Sequence, residues 1–187
     1  MKKIVSFIIL VLSVYTSVAQ KMVPQIKNGT VLSYTAYARA FGQSLPAVLT
    51  ITDLNAPLKI KWMISGLGTG TFEISAKAVQ SGNKMALREP GFNEVTKLKD
   101  NETLAFLSKD TFNNLKDKKN FELNGLTFKV EESAPAYQLD GKEVDTFYAV
   151  SEKGKAKIWV LNNPDFPLIC KIEGTAQGID LSLNSIQ

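Results

Sequence analysis

Apolar and polar residues alternate along most of this chain, the pattern of strands that are buried on one face. In residues 58–65 every second position is apolar, among them Trp62 and Ile64, and two lysines lie between them. A second alternating run, 69–79, carries Phe72, and the glycines at positions 66, 68 and 70 mark a turn between the two. We predict an antiparallel hairpin whose apolar face carries Trp62 and Phe72.

The same pattern predicts strands on both sides of this hairpin. Residues 30–41 and 47–52 form a preceding pair, and Asn124-Gly125 is a strong hairpin signal because both positions tolerate a positive φ. The segment 131–139 is expected to join two halves of one sheet system. The C-terminal part adds strands at 143–150, 156–161, 168–172 and 178–183, separated by residues typical of turns.

One helix interrupts the strands. Ser108 stands where an N-cap would lie, its hydroxyl able to bind the first free N–H groups, ahead of residues 109–118 with Phe112 and Leu115 on one side. A short apolar run, 103–107, precedes it. The predicted fold is therefore mainly β: a curved antiparallel sheet or half-barrel, in a single domain, with one short helix packed against it.

The first nineteen residues have the three parts of a secretory signal peptide. Lys2 and Lys3 supply the charge, residues 4–14 form an apolar run shorter than a membrane span, and Ser17-Val18-Ala19 supplies the small residues of a cleavage site. We expect cleavage rather than a retained anchor, a mature domain at 20–187 with no transmembrane segment, and a soluble protein in the periplasm or outside the cell. No cysteine lies near the cut, so a lipid-anchored form is not expected.

Composition narrows the function classes. Removal of Lys2 and Lys3 leaves 20 basic and 18 acidic residues, a net charge of +2 without the dense basic patch that nucleic-acid binding requires. The one cysteine, Cys170, excludes an internal disulfide, and alternation places it on the apolar side of a strand, as a small buried hydrophobe rather than a nucleophile. No nucleic-acid partner is expected.

The sequence contains no recognisable catalytic motif. The chain contains no histidine, which removes the usual general base and the commonest metal ligand. The glycines at 66, 68 and 70 do not meet the phosphate-binding pattern, because a strand rather than a helix follows. Asp140, Glu143 and Asp145 cluster around a glycine and are interpreted as a solvated turn, with a weak cation site as the alternative. We predict a non-enzymatic protein without a metal or other cofactor, although paired carboxylates of a hydrolase stay open.

Several strands carry large apolar side chains on both faces. In 156–161, Ile158 and Val160 share one face while Trp159 and Leu161 share the other. A sheet that is apolar on both sides needs a cover on each: a second sheet, the helix, a partner, or an apolar ligand.

The C-terminal hairpins resemble a known group. The runs Phe147-Tyr148-Ala149-Val150, then Ile158-Trp159-Val160, and after a proline-containing turn Phe166-Pro167-Leu168, are similar to the closing hairpins of bacterial envelope half-barrel proteins related to the periplasmic lipoprotein-localisation carriers. The resemblance implies a strongly curved sheet wrapped around a helix, with an apolar hollow that receives acyl chains in the carriers.

These observations favour an exported envelope protein that binds an apolar or amphiphilic, lipid-like ligand, or an envelope partner, on a concave sheet face. The wall residues predicted for that face are Trp62, Phe72 and Trp159. The alternative is a structural or assembly module that pairs with another envelope protein through exposed strands.

Overall fold

The alternating segments pair into one open, curved sheet of eleven strands. In this computed structural model the described residues are 21–86, 91–153 and 155–187, and the predicted signal peptide lies outside them. The strands are β1 Val31–Ala38, β2 Gln43–Asp53, β3 Leu58–Ile64, β4 Gly68–Ile74, β5 Lys84–Met85, β6 Val95–Lys97, β7 Glu102–Thr103, β8 Asn120–Leu123, β9 Leu126–Val130, β10 Tyr137–Leu139, β11 Lys142–Val144, β12 Thr146–Ser151, β13 Lys157–Leu161, β14 Ile169–Glu173 and β15 Ile179–Ile186; the helices are α1 Ala76–Ser81 and α2 Lys109–Lys118.

The order of strands in the sheet is β6-β4-β3-β2-β1-β15-β14-β13-β12-β9-β8. Each neighbouring pair is antiparallel except β4 and β6, which run parallel. The last strand of the chain, β15, pairs with the first, β1, and so joins the N-terminal strands β1 to β4 to the C-terminal strands. The predicted fold class, a mainly β curved sheet in a single domain, is confirmed.

Local sequence explains much of this architecture. Buried and exposed residues alternate strictly along β3 from Leu58 to Met63, as predicted. The tight turn between β8 and β9 is built by Asn124 and Gly125, both at positive φ. Helix α2 begins after Ser108, whose hydroxyl oxygen accepts a hydrogen bond from the N–H of Thr111 at 3.3 Å, and it buries Phe112 and Leu115.

One strand is shorter than the pattern predicts. We expected 69–79 to continue as a strand, but β4 ends at Ile74 and residues 76–81 form α1. Ser75 accounts for the change, because its hydroxyl oxygen caps the helix by accepting from the N–H of Ala78 at 3.2 Å. Alanine and lysine at the following positions favour a helix over a strand. Ala78 is still buried, but as a residue of the helix rather than of a strand.

The segment after β9 does more than join two halves of the sheet. β9 pairs with β12, so the sheet continues past the segment between them, while β10 and β11 form a separate hairpin. That hairpin is held against the sheet by Tyr137, whose hydroxyl lies 2.9 Å from the carbonyl oxygen of Cys170 and 2.6 Å from that of Leu183.

The sheet has two clearly different faces, because residues directly opposite in paired strands lie on the same side. The inner face, part of which α2 covers, includes a row that crosses six strands: Ala149, Ile158, Ile172, Leu181, Ala36 and Leu45. The outer face includes the adjacent row: Tyr148, Trp159, Lys171, Ser182, Thr35 and Pro46.

Within residues 21–86, 91–153 and 155–187, no helix is long and apolar enough to cross a membrane.

Candidate ligand cavity

An apolar cavity of about 450 Å³ lies against the inner face of the N-terminal strands. Its floor is formed by alternate residues of β1, β2, β3, β4 and β15, and its cover by the chain on either side of the β5–β7 pair. The described lining residues are Tyr34, Ala36, Phe41, Leu45, Ala47, Leu49, Trp62, Ile64, Phe72, Met85, Ala86, Leu104, Ala105, Ile179 and Leu181. None of these described residues carries a charge, so the cavity suits an apolar ligand.

The described part of the cover contains small side chains. Ala86 and Ala105 line the cavity there, beside the larger Met85 and Leu104. β5 and β7 are only two residues long and run parallel, so the described residues of the cover are mostly irregular. The space between cover and floor is therefore left partly empty.

The cavity reaches the surface at the β1–β2 turn. Phe41 lines the cavity and is nevertheless 78% exposed, so it stands at the mouth. Other large apolar side chains are exposed at the same end of the sheet. They are Leu67 in the β3–β4 turn and Phe92 in the segment before β6. Exposed apolar side chains mark an interaction site where they form a contiguous patch.

The structure brings two of the three predicted wall residues together. Trp62 and Phe72 both lie on the inner face and line the cavity, with 2% and 4% of their surfaces exposed. Trp62 is held edge-on by Phe92, with 5.8 Å between the ring centroids. These two aromatic side chains form one wall of the cavity.

Glycines allow Trp62 to lie flat on β4. A Cβ atom at Gly70 would come within 2.6 Å of Trp62 Nε1 and equally close to the carbonyl oxygen of Gly91. A side chain at Gly68 would meet Phe92 at 2.8 Å. The glycine-rich turn that the sequence shows is therefore a site of close packing between β4, the tryptophan and the 91–92 segment.

The indole N–H of Trp62 is buried and has no hydrogen-bond partner among the described residues. Gly70 lies against it, since a Cβ atom there would come within 2.6 Å of the indole nitrogen. The Tyr34 hydroxyl, in contrast, donates to the carbonyl oxygen of Ile169 in β14 at 2.8 Å, and burial raises its pKa well above the ordinary value.

Trp159 lies elsewhere, on the outer face. Its indole N–H donates to the carbonyl oxygen of Pro135 at 3.2 Å, and its ring packs against Tyr148 and beneath the ammonium group of Lys171, 4.8 Å from the ring centroid. The segment that leads into β10 covers it, so its role in this structure is to anchor that segment. A shallow, more polar depression of about 470 Å³ borders it, separate from the cavity that Trp62 lines.

The remaining candidate groups have structural roles here. Cys170 is buried, and burial raises the pKa of its thiol to about 12, which keeps it protonated at neutral pH. Glu143 forms an ion pair with Lys21 at 2.9 Å, and Asp145 accepts a hydrogen bond from Asn162. In the part of the chain that the structure describes, no group of three or more histidine, cysteine or acidic side chains is arranged to hold a metal ion.

The sequence does not reveal the cover. A short apolar run such as 103–107 does not indicate which face of a sheet it will lie on. Tyr34 was likewise part of a predicted strand without an assigned face.

No protein-family model matches this sequence, and no curated protein is significantly similar to it. A functional assignment therefore depends on the cavity and on the side chains that surround it.

Proposed function

We propose that this chain is an exported, non-enzymatic envelope protein that binds a lipid-like ligand in the cavity beneath its inner sheet face. The observation that carries the proposal is the cavity of about 450 Å³, bounded by apolar and aromatic side chains and open at Phe41. This volume lies within the range of about 300–1,000 Å³ that is typical of small-ligand sites.

Burial of an apolar ligand here is energetically favourable. Each methylene group that leaves water contributes about 0.8 kcal/mol, and no charged side chain among the described lining residues has to lose its hydration. The resemblance of the C-terminal hairpins to the lipoprotein-localisation carriers, and the predicted signal peptide, are consistent with a role in handling lipids outside the cytoplasm.

The assembly-module alternative has less support. An assembly through strand pairing would use the free edges of the sheet, which are β6, three residues long, and β8, four residues long. Short edge strands offer few unpaired backbone groups. Helix α2 also packs beside β8.

The two tryptophans provide a direct test. Trp62 lines the cavity and Trp159 lies on the opposite face, and the chain has no other tryptophan. In the Trp159→Phe variant all tryptophan fluorescence comes from Trp62. In the Trp62→Phe variant it all comes from Trp159. A brominated stearate, whose bromine atoms quench tryptophan on contact, should quench Trp62 strongly and leave Trp159 nearly unchanged.

Stearate without bromine is the control for indirect effects on fluorescence, and circular dichroism of both variants checks that they fold. Equal quenching of the two tryptophans, or no quenching of either at saturating ligand, would contradict the proposal. Organic extraction of the purified protein followed by mass spectrometry provides an independent measurement of any lipid that remains bound during purification.

A further inference from the structure

The size of the cavity limits how much hydrocarbon it holds. A protein cavity of about 150 Å³ holds one benzene, that is six carbon atoms. In proportion, a cavity of about 450 Å³ holds on the order of 18 carbon atoms. This is the content of one long acyl chain, and two chains would not fit.

Among the described residues, the lining offers no polar partner to the buried part of a ligand. Two of the described lining side chains carry a polar group. The Tyr34 hydroxyl is directed at the carbonyl oxygen of Ile169, away from the empty space. The Trp62 N–H is buried beside Gly70. A hydroxyl or carbonyl group along the inserted chain would therefore lose its bonds to water without replacement, at a substantial cost.

The mouth determines which end of the ligand stays outside. Because the lining is apolar and the cavity opens at Phe41, a polar head group is more stable in water beside this residue than inside. The ligand therefore enters with its hydrocarbon end first.

We propose, on the basis of the function proposed above, that the cavity accepts one unsubstituted acyl chain of a single-chain amphiphile, whose head group remains at the mouth beside Phe41. The recognised chemistry is the chain itself, so a free fatty acid and a lysophospholipid are both ligands. A diacyl lipid inserts one chain at most and leaves its second chain in water, so it binds more weakly.

The test measures binding to the full chain by calorimetry, with probes below their critical micelle concentrations. Stearate and stearoyl lysophosphatidylcholine should each bind once per protein with similar affinity. 12-Hydroxystearate, which has the same chain length and a hydroxyl group in its middle, should bind about tenfold more weakly because that hydroxyl is left without a partner. Distearoyl phosphatidylcholine in vesicles should not saturate the site.

Two substitutions on β2 provide matched controls. Ala47 lines the cavity, so Ala47→Phe fills part of it and should shorten the chain length that binds best. Val48, the next residue, lies on the outer face between Ser33 and Met63, and Val48→Phe should leave binding unchanged.

The outcomes separate this inference from the proposed function. If 12-hydroxystearate binds less than about fivefold more weakly than stearate, if two chains bind per protein, or if the diacyl lipid competes equally, the single-chain inference is overturned while lipid binding stands. If none of the probes binds, both fail. An equal effect of Ala47→Phe and Val48→Phe would place the ligand elsewhere and overturn the inference as well.

Discussion

Two regions of the same sheet face are covered in different ways. In the packed region, α2 lies over the inner faces of β8, β9, β12, β13 and β14 and inserts Phe112 and Leu115. In the hollow region, the chain around β5 and β7 lies over the inner faces of β1 to β4 and β15 and presents Ala86 and Ala105. The void beside Phe128 in the packed region measures about 10 Å³, against about 450 Å³ in the hollow region.

The difference shows that a sheet face does not by itself decide whether it forms a solid core. The strands of both regions present apolar side chains on the inner face. A regular helix brings a large side chain to the sheet every three or four residues, whereas an irregular segment follows no such spacing. The cover therefore determines whether the sheet encloses a core or a cavity.

The largest expected effect is on the free energy of unfolding, when one leucine in each region is replaced by alanine. Leu115→Ala in the packed region should lower the free energy of unfolding by about 3–4 kcal/mol, because the fully buried side chain leaves a cavity. Leu45→Ala in the hollow region should cost about 1 kcal/mol or less, because this partly exposed side chain already borders empty space. Urea denaturation of ligand-free protein, followed by circular dichroism, measures both. Equal losses would show that the two regions are packed alike.

The next prediction concerns substitutions that enlarge a side chain instead of shortening it. Ala149, fully buried beneath α2, has no room for a larger side chain, so Ala149→Phe should destabilise the protein by about 3 kcal/mol or prevent folding. Ala47→Phe, in the hollow region, should change stability by less than about 1 kcal/mol because the ring enters the cavity. The same denaturation experiment applies. A large loss at Ala47 would mean that the cavity is not available to a side chain.

The third prediction depends on pH and concerns the connection between the regions. Tyr34 lies on the floor of the cavity. Its hydroxyl group donates a hydrogen bond to the carbonyl oxygen of Ile169 in the packed region. Burial raises the pKa of this hydroxyl well above its ordinary value, and it raises the pKa of Tyr137 and of Cys170 to about 12. In the unfolded chain these groups ionise at the ordinary values of 10.0 and 9.0.

Between about pH 9 and pH 12 the unfolded chain therefore holds fewer protons than the folded one. Stability should be independent of these groups below pH 9 and should fall as pH rises, by up to about 1.4 kcal/mol per pH unit for each group. Cys170→Ala should remove the part of the decline that begins near pH 9 and leave the part due to the tyrosines. A free energy of unfolding that stays constant from about pH 8 to pH 11 would contradict the burial of all three groups.

Much of the fold was predictable because strand patterns and caps are local. The alternation in β3, the capping serine of α2 and the Asn124-Gly125 turn each depend on neighbouring residues, and all three predictions are confirmed. The prediction of a strand over 69–79 was wrong in its second half, because alternation alone does not take account of the helix cap at Ser75. That error was also local, and the signal that corrects it was present in the sequence.

The candidate site was predictable only in part. The period of two placed Trp62 and Phe72 on the apolar sides of their strands, and these sides form the cavity wall. The same reasoning could not relate either residue to Trp159. Whether the apolar sides of two distant strands belong to one face depends on how β1 pairs with β15, and on the irregularities in register that occur at Ser33/Tyr34 and Trp159/Val160.

The sequence by itself determined most strands of the large sheet, the main helix and the apolar side of strands that alternate strictly, such as β3, since these follow from backbone geometry and from the spacing of neighbouring side chains. Only the tertiary structure decided that Trp159 lies on the opposite face from Trp62, and that the inner face is solid beneath α2 but hollow beneath residues 85–86 and 104–105. The physical reason is that a face and its cover come from parts of the chain that are far apart in sequence. A cavity is the space that such segments leave between them, and no local pattern records it.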